Sequence, residues 1–249
     1  MAKTLAELRV EIDAVDRDLL HLLNHRAALA NEVGDIKRAE GSPVFRPERE
    51  AQVIHGLQSA NPGPLKNTSV GWIWREIMSA CRALEAPQRV AFLGPKGTFS
   101  EQAALGFFGS SIEAIPCASI DEVFRATAAG SAQFGVVPVE NSTEGAVGGT
   151  LDLLLTNPLQ VCGEVRLRIH QQLMSRSEGI GAAKRIYSHA QSLAQCHEWL
   201  NRNLPHLPRI PVASNAEAAR MASEDAESCA IAGEAAAQLY GLNILAPNI

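Results

Sequence analysis

Along residues 5–38 the apolar side chains fall at Leu5, Leu8, Ile12, Val15, Leu19, Leu22, Leu29, Val33 and Ile36, in alternating steps of three and four. This spacing predicts one long helix with a heptad seam, and such a seam asks for a partner helix. No proline interrupts it, and Gly34 is its one residue of poor helix propensity before the end. At ~1.5 Å per residue the helix spans about 50 Å. One seam position carries Arg26 where the pattern asks for Val, Ile or Leu. Buried without a counterion that charge costs several kcal/mol, so it calls for an anion. A register-setting polar residue, or a stem that snorkels to the rim, would also account for it. Lys37, further along, lies about 20° around the helix and shares the face of Arg26; Arg9, earlier, lies about 100° away. A second copy of the helix could supply Arg9 to that face.

Residues 39–43 break the periodicity, and Pro47 restarts a shorter helix carrying Glu48, Arg49 and Glu50. Asn61-Pro62-Gly63-Pro64 ends it; a third helix begins at Asn67 or Thr68, either able to cap it, with the seam Val70, Ile73, Ile77, Ala80 and Leu84. At Ala86-Pro87-Gln88 the pattern changes to strands near 89–93, 112–116, 133–139, 159–173, 185–188, 209–213, 229–232 and 242–246, alternating with helices. Ser119 with Glu122 and Ser214 with Glu217 read as capping boxes. The fold class is therefore an all-α N-terminal domain over 1–88, followed over 89–249 by an α/β domain with mostly parallel sheets.

In such sheets ligands sit beyond the carboxyl ends of strands, against helix N-termini. The turns there are polar: Thr98 and Ser100, Glu140 to Thr143, Ser188 to Gln191, Ser214-Asn215 and Gly233-Glu234. Ser, Thr and Asn also cap helices for purely structural reasons, but their recurrence favours a small polar ligand.

Composition narrows the classes. The chain has 249 residues, is 46% hydrophobic and 20% charged, and carries a formal charge of -5, ordinary values for a soluble protein of two modest domains. No apolar run is long enough for a membrane span and no signal peptide opens the chain, which points to the cytoplasm. Residues 1–90 hold 12 basic and 12 acidic side chains, and the rest 10 and 15, so nucleic acid is not an expected partner. The five cysteines are odd in number and form no C-x-x-C pair, against both a disulfide framework and a zinc site. His21 and His25 have metal-pair spacing but no further ligand, and Gly94 to Ser100 does not match a phosphate loop. No cofactor motif occurs.

Arg9, Arg26 and Lys37 on the first helix, Glu50 in Arg46-Pro47-Glu48-Arg49-Glu50, and Glu85 on the third together resemble the all-helical chorismate mutases. The second part resembles prephenate dehydratase through Gly94-Pro95-Lys96-Gly97-Thr98-Phe99-Ser100, Val137-Pro138-Val139-Glu140-Asn141-Ser142-Thr143, Tyr187-Ser188-His189-Ala190-Gln191-Ser192-Leu193-Ala194-Gln195-Cys196 and Ala230-Ile231-Ala232-Gly233-Glu234. Their order is that of the bifunctional P-proteins of phenylalanine biosynthesis, and the resemblance covers essentially the whole chain.

The resemblance implies a three-helix, interlaced homodimer acting on chorismate, then a two-lobed domain acting on prephenate, with no cofactor. Arg26 and Lys37 would bind carboxylates, Lys37 also reaching the ether oxygen. Glu85 would serve that oxygen as well, Glu50 would accept from the substrate hydroxyl, and Arg9 would enter from the other subunit. Arg46 stands where some relatives carry an acidic substrate contact, and Cys81 where some carry Ser. Thr98, Ser100, Glu140, Asn141, Ser188, Gln191 and Gln195 would line the prephenate site. Relatives continue into a Thr-Arg-Phe motif and a phenylalanine-sensing ACT domain, neither of which occurs in these 249 residues. Impaired dehydration is thus an expectation, with Glu140 or Ser188 the first substitute acids. A competing class is a non-enzymatic two-lobed sensor with a helical dimerisation arm.

Overall fold

The computed structural model describes residues 3–42, 45–141 and 145–249. The chain divides into one unit of Met1–Gln88 with Phe108–Glu113 and another of Arg89–Phe107 with Ala114–Ile249.

In the first unit, helix α1 (Leu5–Glu40) opens with a complete capping box between Thr4 and Glu7 and closes at Gly41 in the left-handed region, φ 66°. Helix α2 (Pro47–Ala60) starts with proline at its first turn, and α3 (Asn67–Glu85) packs against both α1 and α2. The cap residue of α3 is Lys66, with no side-chain bond, so neither Asn67 nor Thr68 caps it.

Cover is confined to the last part of α1: apart from Ala14, its sheltered residues are Arg26, Ala27, Ala30, Gly34 and Lys37. Upstream, Leu5, Leu8, Ile12, Val15, Leu19 and Leu22 are 43–66% exposed. The seam expected of α3 is also turned outward in part. Val70 is buried, but Ile73 and Leu84 are exposed, and the inward face is Gly71, Met78, Ser79, Cys81, Arg82 and Glu85. The chain thus folds α3 on its small and polar side, leaving the apolar stripe open.

The segment Phe108–Glu113 belongs to this unit because it lies along α3. Ser111 N donates to Ser79 Oγ at 3.1 Å, Ser110 N donates to the Glu76 carboxylate at 3.1 Å, and Ser110 Oγ donates to the same group. Gly109, φ 83°, sits where a Cβ would come 2.4 Å from Ser79 Cβ. Only glycine fits that approach.

The second unit holds two main sheets. In the smaller, β1 (Arg89–Leu93) lies between β2 (Glu113–Cys117) and β3 (Phe134–Val136), parallel to β3. Helix α5 (Ile120–Ala128) seats Val123 against Ala91, Cys117 and Ala132. Helix α4 (Phe99–Phe108) follows β1. A short hairpin of β4 (Glu140–Asn141) and β5 (Gly145–Ala146) leads into α6 (Gly148–Thr156).

The larger sheet runs β10 (Asn243–Ala246), β6 (Gln172–Ser175), β9 (Ser228–Ala232), β7 (Arg185–His189), β8 (Arg209–Val212). The expected parallel pairs are β7 with β8 and β7 with β9; β6 and β10 add antiparallel pairs on one side. Alternation along each strand sorts the core. Met174, Tyr187 and Ala230 meet α9 (Asn215–Glu224) and α10 (Glu234–Tyr240), while Leu173, Ile186, Cys229 and Ile231 meet Cys196 and Leu200, flanking α7 (Ala190–Gln195) and on α8 (His197–Asn203).

Three expectations change in detail. Of the strand over 159–173 only its end forms, as β6; the preceding residues find no strand to pair with among the described residues, and Val161 and Ile169 stay 72% and 41% exposed. Strand β3 stops before Pro138, which cannot donate to a ladder. The two capping boxes are half formed: Ser119 and Ser214 cap their helices, but Glu122 reaches Ala118 N and Glu217 turns to Arg220.

Candidate functional site

The end of α1, the start of α2 and the end of α3 enclose a cavity of about 770 Å³. Arg26, Lys37, Arg46, Glu50, Cys81 and Glu85, all singled out from the sequence, line it. So do Arg49 and Arg82, which were not. Arg26 is half-buried and donates to Cys81 Sγ at 3.0 Å. Among the described residues no carboxylate pairs with it, so its charge is directed at the cavity. Lys37 Nζ stands 3.6 Å from Glu85 Oε2, whose side chain is 6% exposed. Arg38 donates to the Glu85 carbonyl at 2.5 Å and fixes the end of α3 on α1.

Glycine at 34 lets that carboxylate in: a Cβ there would lie 2.8 Å from Glu85 Cγ. Glu50 is held by an ion pair with Arg82, the two side chains 18% and 6% exposed. Removing one partner of so desolvated a pair costs about 3–5 kcal/mol, because the other charge is left buried alone. Arg46, exposed, is the cap residue of α2. Arg9 is exposed on α1 and does not line the cavity of its own chain, since its distance along the axis from Arg26 is about 25 Å. The arrangement offers several cations, two inward carboxylates and no activated nucleophile. It suits a small dianion that needs holding rather than covalent attack.

In the second unit the polar motifs gather at the carboxyl ends of strands. Thr98 Oγ1 donates to Leu93 O at 3.2 Å and accepts from Glu101 N at 3.4 Å, capping α4; Ser100, half-buried, is in the first turn. Phe99 packs on Gly233, where a Cβ would meet its ring at 2.7 Å, and Gly97, φ 82°, approaches Leu239. The glycine-rich turn and the Ala230 to Glu234 motif therefore meet. Ser188, fully buried, lies 2.8 Å from Ile231 O and 2.9 Å from Asn215 Oδ1, which also accepts from His189 N. Asn215 Nδ2 donates to Ser192 Oγ, and Gln171 Nε2 donates to Ser192 Oγ and to Gln195 Oε1. Asn215 and Gln171 thus tie Ser188, Ser192 and Gln195 together. Asn215 had a cue, since it follows the Ser214 cap; Gln171 had none.

Gln191 is half-buried on α7, while Glu140 is exposed and Asn141 half-buried on β4. Ser142 and Thr143 lie outside the described residues. Burial pushes the Cys196 thiol up to about 11, so this motif cysteine stays protonated at neutral pH and is no nucleophile.

Comparison with known proteins follows the same division. The family model Chorismate mutase type II matches residues 8–86, and Prephenate dehydratase matches 90–249. Over its whole length the chain is 51% identical to the bifunctional chorismate mutase/prephenate dehydratase of Stutzerimonas stutzeri and spans 70% of that protein. Over 98% of its length it is 50% identical to the Pseudomonas aeruginosa protein of the same name, spanning 69% of it. A solved prephenate dehydratase from Arthrobacter aurescens, in complex with L-Phe, aligns with 65% of this chain and 55% of its own at 34% identity, TM-score 0.58.

Proposed function

Since the chain belongs to the bifunctional chorismate mutase/prephenate dehydratase family, we propose that its helical unit rearranges chorismate to prephenate and its α/β unit takes prephenate to phenylpyruvate, in phenylalanine biosynthesis. The observation that carries the first half is the cavity in which Arg26, Lys37 and Glu85 converge. Chorismate is a dicarboxylate and its rearrangement is a unimolecular pericyclic step. The enzyme has only to hold the compact conformer and stabilise charge on the ether oxygen; acceleration by about a million-fold corresponds to roughly 8 kcal/mol.

Arg26 and Lys37 take the carboxylates, and Lys37 also faces the ether oxygen. Glu85, beside Lys37, serves the same oxygen. Glu50 accepts from the ring hydroxyl, with Arg46 and Cys81 completing the wall. Arg9 comes from a second copy. The exposed α1 seam, together with Ile73 and Leu84 of α3, supplies the apolar face of a homodimer. Relatives with biosynthetic names and five free cysteines support a cytoplasmic enzyme.

In the second unit the substrate loses carbon dioxide and its ring hydroxyl, which leaves as water once protonated. Its site combines Thr98, Ser100 and Gln191 with the hydrogen-bonded network of Ser188, Asn215, Gln171 and Gln195. The test is loss of chorismate absorbance. The parent consumes chorismate, and Arg26→Ala and Lys37→Ala each lower kcat/KM by at least about a hundredfold. A parent that consumes none would be a binder, and the proposal would fall.

A further inference from the structure

Arg82 is 5% exposed, and each side of its guanidinium is occupied. Nη2 donates to Phe108 O, Nε to Gln88 Oε1 at 3.3 Å, and the Phe45 ring centroid lies 4.9 Å from the guanidinium carbon. Nη1 holds Glu50 through Oε1. The rigid fork of an arginine fixes these directions relative to one another, so the Phe108 carbonyl, the Gln88 side-chain amide and the Phe45 ring on three sides aim the fourth. Glu50 projects from α2 into the cavity, and Arg82 is its one side-chain partner among the described residues. A carboxylate has about four acceptor sites, so one bond to Arg82 leaves capacity for a donor from the cavity. Left alone, the long glutamate side chain would lose rotamer freedom on meeting a ligand.

We propose that Arg82 is a positioning residue of the rearrangement: it presents the free side of the Glu50 carboxylate to the ring hydroxyl of the substrate, braced against the Phe108 carbonyl. This rests on the assignment of the cavity to chorismate. Nothing in the sequence pattern marks Arg82, which lies between the apolar stripe of α3 and Glu85.

The test uses the full chain, with chorismate and with its analogue lacking the ring hydroxyl. On chorismate, Arg82→Met lowers kcat/KM by about tenfold, and Glu50→Gln does likewise. The double variant is no slower than the worse single one, because both remove the same contact. On the deoxy analogue the Arg82→Met deficit shrinks to less than about twofold, a difference that a merely structural role would not produce. Arg82→Lys, which keeps a charge for Glu50 but not the fork, recovers part of the loss; if the Met variant does not fold, Lys against parent on the two substrates carries the comparison. Equal deficits on both substrates, or additive effects with Glu50→Gln, would overturn the proposal. If the Glu50→Gln deficit shrinks on the deoxy analogue but those of the Arg82 variants do not, Arg82 alone loses its role. If the Glu50→Gln deficit does not shrink either, the assignment of Glu50 to the hydroxyl falls with it.

Discussion

Lys37 Nζ stands 3.6 Å from Glu85 Oε2, and that buried oxygen accepts no hydrogen bond among the described residues. An ionised carboxylate there has no proton to offer an ether oxygen that gains negative charge and would repel it; a protonated one donates. The amide of glutamine is a permanent donor of similar shape. Glu85→Gln therefore keeps at least the mutase kcat/KM of the parent, whereas Glu85→Ala, which has no donor, loses about a hundredfold. Steady-state kinetics of the two variants at about pH 7 check this. If Glu85→Ala is as active as Glu85→Gln, Glu85 does not serve the ether oxygen.

Gly34 sets two effects against each other. Alanine in a helix interior is favoured over glycine by about 1 kcal/mol, which would stabilise α1. The added Cβ, however, would lie 2.8 Å from Glu85 Cγ and 3.1 Å from Glu85 Cβ, so the carboxylate must shift. Positioning losses of this kind cost up to about a hundredfold in rate. We expect Gly34→Ala to unfold at no lower temperature than the parent by more than a few degrees, yet to lose at least about tenfold in mutase kcat/KM. Full activity would mean that Glu85 has freedom the packing does not show.

Turnover of prephenate should be far slower than that of chorismate for these 249 residues. Ser188 has a single hydroxyl proton and two acceptors, Ile231 O and Asn215 Oδ1, so it is committed to holding β7 against β9 and α9. Glu140 is exposed to solvent on β4. Phenylpyruvate formation at pH 7, corrected for spontaneous aromatisation, measures it. A rate matching the mutase would require an acid other than these two. Asn215→Ala, by removing the acceptor of His189 N and one of the two open to Ser188, should lower stability by about 1–3 kcal/mol whatever the activity.

The long helix, the two shorter ones and the order of strands were legible because period and capping are local. The heptad pattern of α1 named the residues that stay exposed in one chain, from Leu5 to Leu22, although no local signal says what covers them. The same gap misdirected α3, whose apolar stripe of Ile73 and Leu84 faces outward while Cys81, Arg82 and Glu85 turn in. Arg82 reads as surface because its partners, Glu50 and Phe108, are remote in sequence. The run over 159–173 has the alternation of a strand, but alternation does not provide a neighbour to bond with.

The central claim is that the mutase site is shared, with Arg9 of one copy completing the cavity around Arg26 of another. Co-expression of Arg9→Ala with Arg26→Ala chains tests it most directly, because each homodimer lacks a cation at both sites while the mixed dimer keeps one intact site. Random pairing makes about half of the dimers mixed, so activity should return to about a quarter of the parent level. Activity no greater than the average of the two inactive parents would contradict a shared site.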